Sequence, residues 1–308
     1  MDLNANWQVL LLSQITRGTF FLEPRIAIGM APQVQQLLDP KKARMMSTSE
    51  IFHTERSAFS ALAVSQSGGE SFSIYDDAPE GSTAVFSING TMLKYGTLCT
   101  YGTQEIAGFM REAINHKNIG SIVIEFDSGG GSVSAIAPIV QVINEAKALG
   151  KPVVADVDLC CSAAYYGAIY GDYIVARNDI SAEIGSIGVM ASFMDLEPYY
   201  KKMDINIHKI YADQSGHKNE AFELALEGKY DLIKKELLNP LAIAFQNDVK
   251  EQRGDKLDES VEGVLTGKTF YAERAREIGL IDEVGDQFTA IERAQQFAET
   301  RNFLSNKK

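Results

Sequence analysis

The sequence predicts an α/β fold built on a largely parallel sheet. Two observations carry that prediction. Short apolar runs rich in Val and Ile alternate with longer segments whose apolar residues recur at helical spacing, the pattern of parallel strands joined by crossover helices. Two of those runs also end in a sharp turn of small residues that opens straight into a helical pattern, after Phe126 and after Val157. The predicted strands are Ala84–Ile88, Ile122–Phe126, Val153–Val157, Tyr173–Ala176, Val189–Ala191 and Ile205–Tyr211.

In chain order, residues 1–64 read as an amphipathic, mostly helical arm, interrupted at Leu22-Glu23-Pro24. Within it Met30, Val34, Leu37 and Leu38 fall at helical spacing and read as packing residues. Residues 65–82 are polar and rich in Gly, Ser, Asp and Glu, so they read as a linker. Residues 83–295 hold the alternating core, and 296–308 form a tail. Asn219 to Arg253 is a long helical stretch with Phe222, Leu226, Tyr230, Ile233 and Leu237 on its apolar positions, suited to packing or oligomerisation.

Composition agrees with a globular protein: 308 residues, 45% hydrophobic and 23% charged, enough chain for a sizeable core. The net charge of −12 argues against nucleic acid as a direct ligand. Three cysteines, two of them adjacent, cannot build a disulfide framework, which fits a reducing compartment and a cytoplasmic location. No run of 18 apolar residues occurs, and Val9–Leu12 is too short to span a bilayer. The N-terminus lacks the basic start and apolar stretch of a secretory signal.

The most informative segment is Cys160-Cys161-Ser162-Ala163-Ala164-Tyr165-Tyr166-Gly167. It places a serine at a strand-to-helix turn, where free N–H groups favour developing negative charge. Ala163, Ala164, Gly167 and Ala168 let the helix lie close to the sheet. Such a serine suits a nucleophile, although a serine N-cap has the same signature. Upstream, Asp127-Ser128-Gly129-Gly130-Gly131 follows a strand and precedes a helix from Ala135 to about Leu149. Its amides can form an oxyanion hole or an anion nest; a plain tight turn is the alternative. Downstream, Ser215-Gly216-His217-Lys218 follows the last predicted strand.

Rival chemistry is weaker. Cys160 and Cys161 abut Ser162, and a Cys161/His217 pair is conceivable, but cysteines ending a core strand are ordinarily buried packing residues. His53 and His116 lie in polar segments and read as surface residues, while His208 reads as strand packing. Gly263-Val264-Leu265-Thr266-Gly267-Lys268-Thr269 mimics a phosphate-binding loop. It has three residues between its glycines where that motif needs four, and it does not run from strand to helix, so nucleotide binding is rejected.

Taken in order, the serine turn, the glycine loop, Gly185-Ser186-Ile187-Gly188-Val189, Ser215-Gly216-His217-Lys218 and Gly279-Leu280-Ile281-Asp282-Glu283-Val284-Gly285 resemble the signal peptide peptidase A family of serine peptidases. The resemblance covers roughly residues 80 to 295. It implies a crotonase-like spiral of parallel strands and helices, shared with the caseinolytic protease, and a Ser/Lys dyad. Carried over, Ser162 is the nucleophile, Lys218 the general base and Ser186 a hydroxyl that holds the lysine amine. The amides of Gly130, Gly131 and Ala163 form the oxyanion hole. Two departures stand out: the loop is usually Asn-Ser-Pro-Gly-Gly, and the nucleophile is usually followed by Gly-Gly or Ala-Gly.

The chemistry needs these residue types. A serine hydroxyl attacks only when a base takes its proton, and lysine serves as base only when neutral. Its reference pKa is about 10.4, so bringing a lysine close to neutrality corresponds to about 4 kcal/mol, supplied by burial and distance from carboxylates. No metal or cofactor is implied. The leader Arg17-Gly18-Thr19-Phe20-Phe21-Leu22-Glu23-Pro24 and the run Ser87-Ile88-Asn89-Gly90-Thr91-Met92 are similar to those of the phage capsid-maturation branch. The resemblance therefore implies a homo-oligomeric endopeptidase acting on a capsid or scaffold polypeptide, with serine and lysine in some members drawn from adjacent subunits. Three alternatives stay open: a bacterial peptidase clearing signal-peptide remnants, an acyl-CoA enzyme on the same fold, and a non-enzymatic capsid-associated protein.

Overall fold

The computed structural model describes residues 19–22 as backbone, and residues 73–97, 100–193, 195 and 197–305. The strands are β1 Thr19–Leu22, β2 Ser82–Asn89, β3 Ile119–Ser128, β4 Gly130–Ser132, β5 Val153–Cys161, β6 Tyr173–Ala176, β7 Glu183–Gly185, β8 Met190–Ala191, β9 Thr269–Tyr271 and β10 Glu283–Val284. The main helices are α1 Thr103–Asn115, α2 Ile136–Ala148, α3 Ala163–Ala168, α4 Glu197–Lys202, α5 Glu220–Leu226, α6 Asn239–Arg253, α7 Ala272–Glu277 and α8 Gln287–Ser305.

The fold is α/β. The principal sheet runs β10-β6-β5-β3-β2 with every neighbouring pair parallel, as the alternating pattern predicts. Its central strands, β3 and β5, are apolar on both faces because helices cover both sides. On one face α1 and α2 bury Met110, Ile114, Ile139, Val142 and Ile143 against Ile122, Ile124 and Phe126. On the other, α8 lays Ala290 and Ala294 over Val123, Val154 and Val175. Beyond the register break at Ser128, β5 continues past β3, and its end pairs instead with β7, parallel, while β7 pairs with β9, antiparallel. A second sheet, β4-β1-β8, stands apart from the first.

Five expectations are corrected. Ile205–Tyr211 forms no strand. Its alternating Ile205, Ile207 and His208 neighbourhood is exposed and finds no edge to pair with, and a strand without a partner does not persist. His208 is accordingly exposed rather than packed. The long helix of 219–253 is broken after Leu226, where Gly228 takes φ +80°, and resumes through a short helix and a π-turn at Lys234–Leu238 before α6. His116 is tucked against Tyr75 and bonded to Asp76, not displayed at the surface. Thr19–Leu22 is a strand within the segment read as helical; the rest of that arm, with Met30, Val34, Leu37, Leu38 and His53, lies outside the described residues.

Among the described residues no helix is long and apolar enough to cross a membrane. The Gly263–Thr269 segment is a turn leading into β9 and α7, not a strand-to-helix loop.

Candidate active site

Ser162 stands where β5 ends and α3 begins, and it is only 1% exposed. Its backbone has φ 57° and ψ −117°, the mirror of a region that ordinary residues favour and a conformation natural to glycine. Two forces hold it there. Its amide donates to the Gly185 carbonyl at 2.8 Å, continuing the β5–β7 ladder past Cys161. Beyond it, α3 is anchored on all sides. Tyr165 donates to the Leu280 carbonyl at 2.8 Å, Tyr166 and Tyr170 both bond to Asp248, and Phe245 packs on the Tyr166 ring. Burial and the Asp248 carboxylate push the Tyr170 phenol up to about 12, so it stays a donor at neutral pH. The small residues act as expected: a side chain at Gly167 would press on the Phe126 ring at 3.4 Å.

Among the described residues the Ser162 hydroxyl makes only a long contact, 3.5 Å, to the Gly188 carbonyl. It caps no helix amide, so the N-cap alternative does not describe it. Its neighbour Ala163 is the first residue of α3, and a first-turn amide has no acceptor within its helix.

The glycine loop is not a plain turn. Gly130–Ser132 is strand β4, and Met92 bridges to it in parallel. The Met92 amide donates to the Gly130 carbonyl at 2.8 Å and the Ser132 amide donates to the Met92 carbonyl at 2.9 Å. Gly131's own N–H and C=O therefore point to the opposite edge, because backbone groups alternate sides along a strand. A side chain at Gly131 would lie 2.0 Å from the Met92 oxygen, so only glycine fits. Gly130 differs from its neighbour: its amide donates to the Ser128 hydroxyl at 3.1 Å, and Ser128 in turn bonds the Gly90 carbonyl at 2.5 Å. That leaves Gly131 and Ala163 as the better-placed amides of the three.

Ser186 is buried beside this turn, with φ 52° and its amide donating to the Lys268 carbonyl at 2.9 Å. The Cys161–Gly185 pairing puts it one residue from the strand end that carries Ser162. Lys218 is elsewhere. It lies on the exposed segment between the short Asp213–Ser215 turn and α5, and no hydrogen bond or ion pair joins its ammonium to Ser162 or Ser186. Beside it the His217 ring is held by Glu220 at 2.7 Å, which raises the imidazole pKa. The structure thus gathers Ser162, Ala163, Gly131 and Ser186, and leaves Lys218 outside the group within one chain.

The cysteine alternative finds no geometry. Cys160 is fully buried and burial pushes its thiol well up, while Cys161 directs its sulfur at the Glu183 carbonyl, 3.6 Å away. The His217 side chain is 94% exposed. Ser128, the Gly188 carbonyl and the Met92 bridge are site features the sequence did not announce. Each lies in a quoted motif, Ser128 in the glycine loop, Gly188 in Gly185–Val189 and Met92 at the end of Ser87–Met92, but the partners they find are set by the fold.

Residues 145–301 match the family model described as Peptidase family S49, half of the chain. A predicted protease of Methanocaldococcus jannaschii is 31% identical over 189 residues, which cover 60% of this chain and 58% of that protein. Protease 4 of Haemophilus influenzae is 24% identical over 65% of this chain and 32% of its own length. The chain thus spans less than two thirds of the curated relatives it matches. Among solved structures, a membrane-bound stomatin-specific protease aligns at 17% identity and TM-score 0.45, covering 70% of this chain and 84% of that one. An enoyl-CoA hydratase/isomerase family protein from Hyphomonas neptunium aligns at 18% identity and TM-score 0.36, covering 64% of each.

Proposed function

The chain belongs to peptidase family S49, and we propose that it is a serine endopeptidase with Ser162 as nucleophile and Lys218 as general base. The observation that carries this reading is the Ser162 turn: a buried serine held in a glycine-like conformation, its hydroxyl in no strong bond. In the proposed reaction Ser162 Oγ adds to a peptide carbonyl while Lys218 takes its proton. The Gly131 and Ala163 amides hold the oxyanion, the amine leaves with the proton returned by Lys218, and water hydrolyses the acyl-enzyme. Ser186 orients the lysine amine.

Lys218 reaches the serine, in this reading, from a neighbouring copy. Support comes from the segment that carries it. Ile205, Ile207, Ile210, Tyr211 and Tyr230 are all exposed across 205–230, an unusual density of large apolar residues for a surface. A homo-oligomer would cover them and desolvate Lys218 together, which is what a lysine base requires. Among substrates, we favour capsid or scaffold polypeptides of a phage head, on the leader and the Ser87–Met92 run; breakdown of signal-peptide remnants is the second reading, favoured by the ordered motifs that resemble the signal peptide peptidase A family.

Intact-mass analysis of an unfolded protein substrate incubated with wild type and with Ser162→Ala tests the chemistry. Fragments are expected from wild type alone, and equal cleavage by both refutes the nucleophile. Mixing Ser162→Ala with Lys218→Ala tests the sharing. Recovery of activity in the mixture is expected if each site draws on two chains, and none if the dyad lies within one.

A further inference from the structure

The sheet β4-β1-β8 holds an intramolecular feature that the peptidase reading does not require. β1 is its middle strand, antiparallel to both neighbours, with Phe20 opposite Ser132 and Met190, Phe21 opposite Gly131, Leu22 opposite Gly130 and Thr19 opposite Ala191. β4 and β8 do not pair with each other; β1 is what joins them. Strands in a sheet lie about 4.8 Å apart, so without β1 these two edges would face each other across roughly 9.6 Å, a slot one extended chain wide. Both edges would then present unpaired amides and carbonyls, which is how an extended peptide is captured by strand addition.

The slot lies at the candidate site. β4 carries Gly131, β8 begins two residues beyond Gly188, and β1 runs within 8 Å of α3, the helix that Ser162 immediately precedes. Because Met92 occupies the other edge of β4, the Gly131 amide faces β1, and its register partner is Phe21. The backbone amide expected to bind a substrate's oxyanion thus faces a carbonyl of the chain's own N-terminal segment.

We propose that the slot between Gly130–Ser132 and Met190–Ala191 is the peptide-binding groove, and that Thr19–Leu22 is its resident occupant, a cis-bound strand that a substrate peptide must displace. The inference rests on reading Gly131 and Ser162 as one peptide-cleaving site. A tethered strand competes at a high effective concentration, so the groove is closed to weak peptides until the arm leaves. The arm would therefore set when the enzyme becomes competent as well as what it accepts, an extended segment resembling Thr-Phe-Phe-Leu.

The test uses the full chain carrying Ser162→Ala, so that turnover plays no part and a failure of the catalytic reading leaves the result interpretable. Phe20→Pro and Phe21→Pro are added together, removing the two amides that face β8 and β4. Hydrogen exchange followed by mass spectrometry is read over residues 128–134 and 187–193, with 119–126 of the central strand as the control for folding. The proline variant is expected to exchange at least ~tenfold faster in both groove segments and unchanged in the control. A synthetic Thr-Phe-Phe-Leu-containing peptide is expected to restore protection to the variant at concentrations that leave the parent unaltered. Equal exchange in parent and variant overturns the cis occupancy. An opened groove that the peptide fails to protect at any concentration overturns its assignment as the substrate groove.

Discussion

Ser162→Gly should make the protein more stable while abolishing the proposed activity. Ser162 sits at φ 57° and ψ −117°, a region costing a non-glycine residue about 1–3 kcal/mol. Glycine adopts it without strain but gives back about 0.4–1 kcal/mol in the freedom of the unfolded chain. The side chain itself contributes little, because among the described residues its hydroxyl finds no partner beyond the 3.5 Å contact to Gly188. Ser162→Ala, which keeps the strain, is the matched control. The glycine variant should exceed it by about 1–2 kcal/mol, or roughly 2–6 °C in melting temperature for a domain of this size. Calorimetry of wild type and both variants, with the substrate assay alongside, reads the balance. A glycine variant that melts at or below the alanine variant would show the turn to be unstrained and remove the argument that a serine is kept here for its hydroxyl.

Gly131→Ala should cost about 1–3 kcal/mol from the two Met92 bonds it displaces, and should abolish cleavage, because a methyl group 2.0 Å from the Met92 oxygen moves β4; chemical denaturation and the substrate assay together check it. Arg253→Met should cost about 3 kcal/mol, the low end for breaking a buried pair: the Arg253 and Asp282 side chains are 5% and 4% exposed, and Asp282 keeps Lys256, at 2.7 Å, and the Ile174 amide as partners. The same pair fixes a pH dependence. Burial raises the Asp282 carboxyl, but Arg253, Lys256 and the Ile174 amide outweigh it and hold its pKa below the ordinary value. Its stabilisation is therefore complete above the unfolded carboxylate pKa of about 3.9 and lost as pH falls through the lower folded value. A denaturation series from pH 6 to pH 2 should show that loss in wild type and a much shallower one in Arg253→Met.

The parallel sheet was legible because its strands are buried on both faces and leave long apolar runs; Ile122–Phe126 and Val153–Val157 sit at the heart of β3 and β5. Short strands were not. β7, β9 and β10 have two or three residues each, and they exist because a neighbouring edge accepts them, not because their residues insist on it. Ile205–Tyr211 is the converse, a run with strand chemistry and no edge to join. The site divides the same way. The strand-to-helix turn at Ser162 was legible because a strand, a turn and a small-residue helix are local features. The separate fates of Gly130 and Gly131 follow from Ser128 and Met92, partners that only the folded chain supplies.

The arm shows the same logic at longer range. Thr19–Leu22 carries aromatic and β-branched residues, yet it lies in a segment whose wider periodicity is helical, and nothing local says where it belongs. What makes it a strand is a pair of edges more than 100 residues away in sequence, one on each side. Two edges that cannot reach each other need a third chain segment between them, and unpaired backbone there would cost free energy in any state that excludes water. A groove built to receive a peptide strand is therefore never neutral toward the protein's own extended segments. An exposed run of β-prone residues tethered to the domain fills it unless a substrate does so first.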